Sequence, residues 1–197
     1  MRPSVAAPKR LVVGITGASG VGVGVRLLEL LNGTEIETHL VMSRAAEMAL
    51  ACETDLEART VRALASVHHG AMAIGASISS GSFQTMGMVI APCSIRTMSE
   101  IATGVTSTLL SRAADVVLKE RRRLVLAIRE TPLHLGHLRS MTALAEMGAV
   151  IAPFAPAFYP RPHSVDEIVS HMAGRLLDLF DIETDAVQRW EGPPAAR

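Results

Sequence analysis

"GITGASGVGVGVRLLELL", residues 14–31, sets five glycines between an apolar run and a helical pattern. The run before it, Leu11-Val12-Val13, reads as a strand, and Val25–Leu31 reads as a helix. A glycine-rich turn between strand and helix leaves backbone N–H groups free for an anion. The stretch therefore bears on the fold class and on the ligand: a nucleotide triphosphate, a dinucleotide, or something smaller.

The same alternation continues along the chain. Strands are expected at Leu11–Ile15, Thr38–Met42, Met86–Ala91, Leu124–Ile128 and Val150–Ala152, with helices at Val21–Leu31, Arg44–Cys52, Val105–Arg121 and Leu133–Met147. A last helix opens at Ser164, where Ser164-Val165-Asp166-Glu167 fits a capping box, and runs to Phe180. Strands spaced by helices imply right-handed crossovers and a parallel sheet. The pattern predicts one α/β domain with a doubly wound parallel sheet over residues 10–191, a disordered leader over 1–9 and a flexible tail over 192–197. "APFAPAFYPRPHS", residues 152–164, carries four prolines and three aromatics and reads as an ordered loop.

The 197 residues suit one domain with a full core. Apolar residues make up 49%, and mean hydropathy is +0.31. No uncharged apolar run approaches the roughly 18 residues that span a membrane. With 19 basic and 19 acidic residues the net charge is zero, which argues against nucleic-acid binding through bulk charge. Residues 1–10 lack the apolar core of a signal peptide, so a cytoplasmic location is expected. Only Cys52 and Cys93 are present, and no disulfide is expected.

In doubly wound sheets ligands bind beyond the carboxyl ends of the strands. Ser19, Ser43, Pro92–Thr97, Arg129-Glu130 and Tyr159 follow the five expected strands. The glycine turn lacks G-x-x-x-x-G-K-[ST] and a clean G-x-G-x-x-G, and Ser43 stands where a ribose-binding acid would. Small hydroxyl residues at several strand ends suit a single monophosphate, as in a flavin mononucleotide site. Tight helix–strand packing through the glycines is the alternative. A second anion site is suggested by Arg112 and Lys119, seven apart on one helix face, with Arg129 and Arg175. Glu53, Glu100 and Glu130 are candidate acid/base groups, Glu130 adjoining Arg129. His134 and His137 form a possible ligand pair, but no third ligand is spaced to join them and no metal is expected. No His is placed by sequence to activate Cys93 as a nucleophile.

Seven segments together carry a resemblance: "TGASG", "ETHLVMSRAAE", "ISSGSFQT", "VIAPCSIRTMSEIATG", "RAADVVLKERRRLVLAIRETPLHLGHLRSM", "MGAVIAPFAPAFYPRP" and a terminal "RW". Over residues 9–191 the chain resembles the UbiX-type flavin prenyltransferases. The resemblance implies a flavodoxin-like Rossmann three-layer sandwich assembled as a homododecamer with sites at subunit interfaces. It implies transfer of a dimethylallyl group from dimethylallyl monophosphate to reduced FMN, without metal. The product, prenylated FMN, would serve a separate UbiD-type decarboxylase.

Carried over residue by residue, the FMN site falls on Gly17, Ala18, Ser19, Ser43, Ser94, Ile95, Arg96, Thr97 and Arg129. The prenyl-phosphate site falls on Arg112, Lys119, Arg129, Glu130, Tyr159 and Arg175, with Glu53 and Trp190 nearby. Ser19, Glu53, Lys119 and Glu130 are the residues expected to take part in catalysis. Val23 stands where the family commonly carries a large residue. It is either a wall lost beside the flavin and prenyl chain or a residue packed on a neighbouring helix or at a subunit interface. Flavin-dependent cysteine decarboxylases share the fold, but their usual catalytic His and Pro-x-Met-Asn signature are not visible here. A non-catalytic FMN-binding partner of a decarboxylase is the other rival.

Overall fold

The computed structural model describes residues 9–192. The expected leader and tail lie outside the described residues except for Lys9 and Gly192. Six parallel strands form one sheet in the order β3-β2-β1-β4-β5-β6. They are β1 (Arg10–Ile15), β2 (Glu37–Met42), β3 (Val67–His69), β4 (Gly87–Cys93), β5 (Arg123–Ile128) and β6 (Val150–Ile151). The register runs Leu11 to Gly87 and Leu11 to Thr38, so β1 is flanked by β2 and β4, and the strand order reverses there. That reversal is the switch point at which doubly wound sheets bind ligands.

Helices cover both faces. On one face α1 (Val21–Leu31) packs on α7 (Val165–Asp178), joining Leu27, Leu28 and Leu31 to Ala173, Leu176 and Leu177. On the other lie α4 (Ile95–Ala102), α5 (Leu109–Lys119) and α6 (Leu135–Glu146), with Met98, Ile101, Leu110, Ala113 and Leu144 on the sheet. α2 (Arg44–Glu53) and α3 (Ala58–Ala63) follow β2. Each fully buried leucine contributes about 1.5–3 kcal/mol by leaving water. Two of the glycines have clear structural roles. A Cβ at Gly24 would collide with the Ala91 carbonyl oxygen, so that glycine lets α1 lie close on β4. Gly20 takes φ +95°, the left-handed region, and turns the chain into α1.

The structure corrects several expected elements. β3 is an additional strand at the edge of the sheet, and α3 and α4 are additional helices. The helix expected from Val105 begins at Leu109, because Thr108 and Ser111 close a reciprocal capping box there. At Ser164 the box is only half made. The Ser164 hydroxyl accepts from Glu167 N–H at 3.1 Å, but the Glu167 carboxylate accepts from His163 N–H at 2.8 Å instead of from Ser164.

Candidate active site

The ends of β1, β2 and β4 form one polar rim. Thr16, 1% exposed, ends β1, and its hydroxyl donates to the Pro92 carbonyl at 2.7 Å while accepting from Ser94 N–H at 2.8 Å. Its own N–H also bonds to the Pro92 carbonyl. Ser43 N–H donates to the Ile15 carbonyl. These bonds bring the glycine turn, Ser43 and Ser94 side by side. Ser43 caps α2 and Ser94 caps α4, their hydroxyls accepting from Ala46 and Thr97 N–H. Each cap satisfies one helix N-terminal donor and leaves the positive end of the helix facing the rim. The Ser94 hydroxyl also meets that of Thr97 at 3.2 Å. Arg96, on the exposed side of α4, pairs with Glu100 at 3.0 Å, and Ile95 is half-buried beside it. Gly17, Ala18 and Ser19 lie at the surface of the turn, and Arg129 and Glu130 are exposed just past β5. A Glu130 oxygen accepts from Thr131 N–H at 3.0 Å.

The glycine turn already holds an anion, and it belongs to the chain. The Glu53 carboxylate, at the end of α2, accepts from Gly20 N–H at 2.8 Å and from Val21 N–H at 3.0 Å. It supplies the cap that Gly20 has no side chain to make, on the positive end of α1. Val23, one turn on, is 2% exposed inside the core cluster beneath α1 and does not line the cleft described next. Of its two readings the structure supports packing.

A cleft of 590 Å³ runs between the Ala152–Tyr159 loop, α7 and the segment around Val187–Trp190. Tyr159, Arg175 and Trp190, expected together, all line it, with His171 and Arg189. The Tyr159 hydroxyl donates to the Gln188 carbonyl at 2.8 Å and lies 3.3 Å from His171 Nε2. The Trp190 ring meets Tyr159 edge-on at 5.6 Å between centroids. Arg175 and Arg189 share the Asp178 carboxylate. Burial pushes the Asp178 carboxyl up, but hydrogen bonds from Arg189 and Arg175 outweigh it and hold the group below its ordinary value. Phe154 joins the cleft to the rim: its ring edge lies where a Cβ on Gly20 would sit, 2.7 Å away.

Arg112 and Lys119 are not brought to this cleft. Arg112 pairs with Asp115 at 2.7 Å, and Lys119 with Glu120. α5 runs antiparallel to the strands, so Lys119 lies beside Gly81, near the starts of β4 and β5. β5 separates that end from Arg129 by about 17 Å. Within one chain, Lys119 therefore sits at the opposite rim from Ser43, Ser94 and Arg129.

The remaining candidates have structural roles. Cys93 is fully buried, and burial pushes its thiol far above the ordinary value, so it stays a neutral core group. His134 is the cap of α6, its Nδ1 accepting from Gly136 and His137 N–H, which spends that nitrogen. Among the described residues, no three His, Cys, Asp or Glu side chains are grouped to hold a metal ion. Cys52 is exposed, and both cysteines are free.

The model of the family described as Flavoprotein matches residues 3–177. The flavin prenyltransferase UbiX of Escherichia coli strain K12 is 62% identical over 187 residues, covering 93% of this chain and 99% of that protein. The chain belongs to the UbiX flavin prenyltransferase family. Two solved structures carry the likeness through the fold. AnUbiX (PadA1), in complex with FMN and dimethylallyl pyrophosphate, has a TM-score of 0.93 at 47% identity, covering 94% of this chain and 99% of that one. A dodecameric FMN-dependent Ubix-like decarboxylase from Escherichia coli O157:H7 has a TM-score of 0.91 at 48% identity, covering 93% and 100%.

Four residues that shape this geometry are not among those expected from the sequence: Thr16, His171, Asp178 and Arg189. Thr16 carried a readable signal, a hydroxyl at the end of a buried strand. Asp178 stood at i+3 from Arg175, a helix pair spacing. His171 and Arg189 meet Tyr159 and Asp178 only through the fold.

Proposed function

We propose that the chain transfers a dimethylallyl group from dimethylallyl monophosphate to reduced FMN, and that the prenylated FMN serves a UbiD-type decarboxylase. The observation that carries this reading is the convergence of Tyr159, Arg175 and Trp190 on one cleft that Phe154 connects to the glycine turn. The donors present suit FMN. The rim offers the Ser19, Ser43, Ser94 and Thr97 hydroxyls, the positive ends of α2 and α4, and Arg129. No acid ends β2 to hold a second ribose. Because Glu53 already occupies Gly20 and Val21 N–H, the flavin phosphate belongs to the donors of α2 and α4.

Reduced FMN, when bound, supplies the nucleophile. The chain supplies position and charge. Arg175 holds the prenyl phosphate, joined by the Tyr159 hydroxyl once its O–H turns from the Gln188 carbonyl, and Arg175 takes up charge as the C–O bond breaks and phosphate departs. Phe154, Met172, Leu176 and Trp190 wall the cleft and keep water from the allylic carbon. Glu130, exposed at the end of β5, is placed to move a proton at the rim. Arg112 and Lys119 act in a neighbouring copy's site within a homododecamer, which accounts for a cation at the far rim of its own sheet. The reading includes a cytoplasmic location, which cell fractionation tests; among the described residues no helix is long and apolar enough to cross a membrane.

Anaerobic incubation with reduced FMN and dimethylallyl monophosphate, followed by mass spectrometry of the flavin, decides the matter. A flavin heavier by one dimethylallyl unit supports the transferase. Unchanged FMN overturns it, and FMN reduction by a cysteine peptide would point to a cysteine decarboxylase. Mixing Lys119→Ala with Arg175→Ala subunits tests the shared site: activity above that of either variant alone supports it, and none counts against it.

A further inference from the structure

The cleft contains a charge arrangement of which the proposed reaction uses only Arg175. Arg175 and Asp178 lie one turn apart on α7, with Arg175 Nη1 2.6 Å from Asp178 Oδ2. Arg189 approaches from the segment beyond α7 and grips both carboxylate oxygens, at 3.1 and 3.0 Å. The two arginine side chains are 53% exposed and line the cleft, whereas the Asp178 side chain is 12% exposed and sits behind them. An anion entering the cleft thus meets two guanidiniums in front and one carboxylate behind.

We infer that Asp178 is a specificity-determining residue that holds the charge of the phosphate subsite down and so favours a prenyl monophosphate over a prenyl diphosphate. The inference rests on the reading that Tyr159 and Arg175 receive the phosphate end of the donor. With Asp178 ionised the cluster carries a net charge of one. Its attraction for a ligand scales with the product of the two charges. A diphosphate has about one more negative charge than a monophosphate, so the advantage of that extra charge is proportional to the cluster's own charge. Neutralising Asp178 raises the charge of the subsite and the advantage with it. Neutralising Arg189 lowers both. Asp178 also orients both guanidiniums, and an Asn in its place keeps the shape and one acceptor oxygen while removing the charge.

The test is calorimetric titration of the FMN-loaded protein with dimethylallyl monophosphate and dimethylallyl diphosphate, with inorganic phosphate and pyrophosphate as headgroup probes. Asp178→Asn is expected to raise the diphosphate-to-monophosphate affinity ratio by about five-fold at low salt, an effect that shrinks as salt screens it. Arg189→Gln is expected to lower the same ratio. A purely structural role for Asp178 would weaken both ligands together and leave the ratio unmoved. That result, with Arg175→Ala still weakening both ligands, overturns the inference and leaves the site reading standing. If Arg175→Ala weakens neither ligand, the site reading fails and takes the inference with it. Should Asp178→Asn fail to fold, an unmoved ratio in Arg189→Gln overturns the inference by itself.

Discussion

Among the carboxylates that the chain itself binds, two are held by donors of different kinds. At the glycine turn, Glu53 lies on two neutral backbone N–H groups at the positive end of α1. In the α7 cleft, Asp178 lies on two guanidiniums. The first is a helix cap: its donors are dipoles, and its loss is borne by α1. The second is a balance of full charges, and its loss is borne by whatever anion the cleft receives. On the proposed reading, anion-binding geometry in this fold divides into a part that shapes the chain and a part that selects a ligand.

The largest expected effect lies on the ligand side. Arg175→Ala removes a charge-assisted phosphate contact worth about 1.5–3 kcal/mol, so use of limiting prenyl donor should fall roughly ten- to a hundred-fold. FMN binding, measured by fluorescence quenching, should stay near wild type. Equal loss of both would erase the division. Next is Val23→Tyr, beside the glycine turn but inside the core. Overpacking there should cost about 1–3 kcal/mol in denaturant unfolding. The profile with dimethylallyl and geranyl monophosphates should not change; a changed profile would put Val23 back at the ligand.

Smaller is the cap. Glu53→Ala should destabilise by about 0.5–2 kcal/mol, and Glu53→Gln by less, because an amide oxygen still accepts from Gly20 and Val21. A full loss in the Gln variant would mean that charge matters at the turn as it does in the cleft. Smallest is the pH dependence. Asp178 is held below its ordinary 3.8, so the unfolded chain takes the proton first, and this stabilisation is present above 3.8 and lost as pH falls below it. His69, with burial and then the nearby His39 and His68 keeping it below 6.5, loses its contribution earlier, as pH falls through 6.5. Thermal unfolding between pH 7 and 3 should show both limbs. Asp178→Asn should flatten the lower one and His69→Phe the upper.

How far the fold is legible in the sequence differs by element, for physical reasons. β1, β4 and β5 carry apolar runs buried on both faces, as β2 does at Leu40–Met42, and such runs announce parallel strands. β3 has three residues, two of them histidine, and only its pairing along β2 makes it a strand. α4 was hidden because "IRTMSEIA" is short and half polar, although its Ser94 cap stood in plain view. The cleft aromatics and Arg175 were legible through resemblance. Glu53 was named from the same resemblance, but its place on Gly20, 33 residues away, depends on how α2 returns along α1. Lys119 lies at the opposite end of the sheet from Ser43, Ser94 and Arg129 of its own chain, which the sequence does not reveal. Sequence order carries no information on which subunit completes a site.

Thr16 has one more consequence. Its hydroxyl and its amide both bind the Pro92 carbonyl, and the hydroxyl also takes the Ser94 amide. The turn after β1 and the turn after β4 are thus fastened at a single side chain, and neither can open without the other. Their amide protons should exchange with deuterated solvent in concert, Thr16 and Ser94 sharing one opening rate. Thr16→Val, which keeps the shape and removes the hydroxyl, should let the Ser94 amide exchange sooner than that of Thr16, turning one hinge into two.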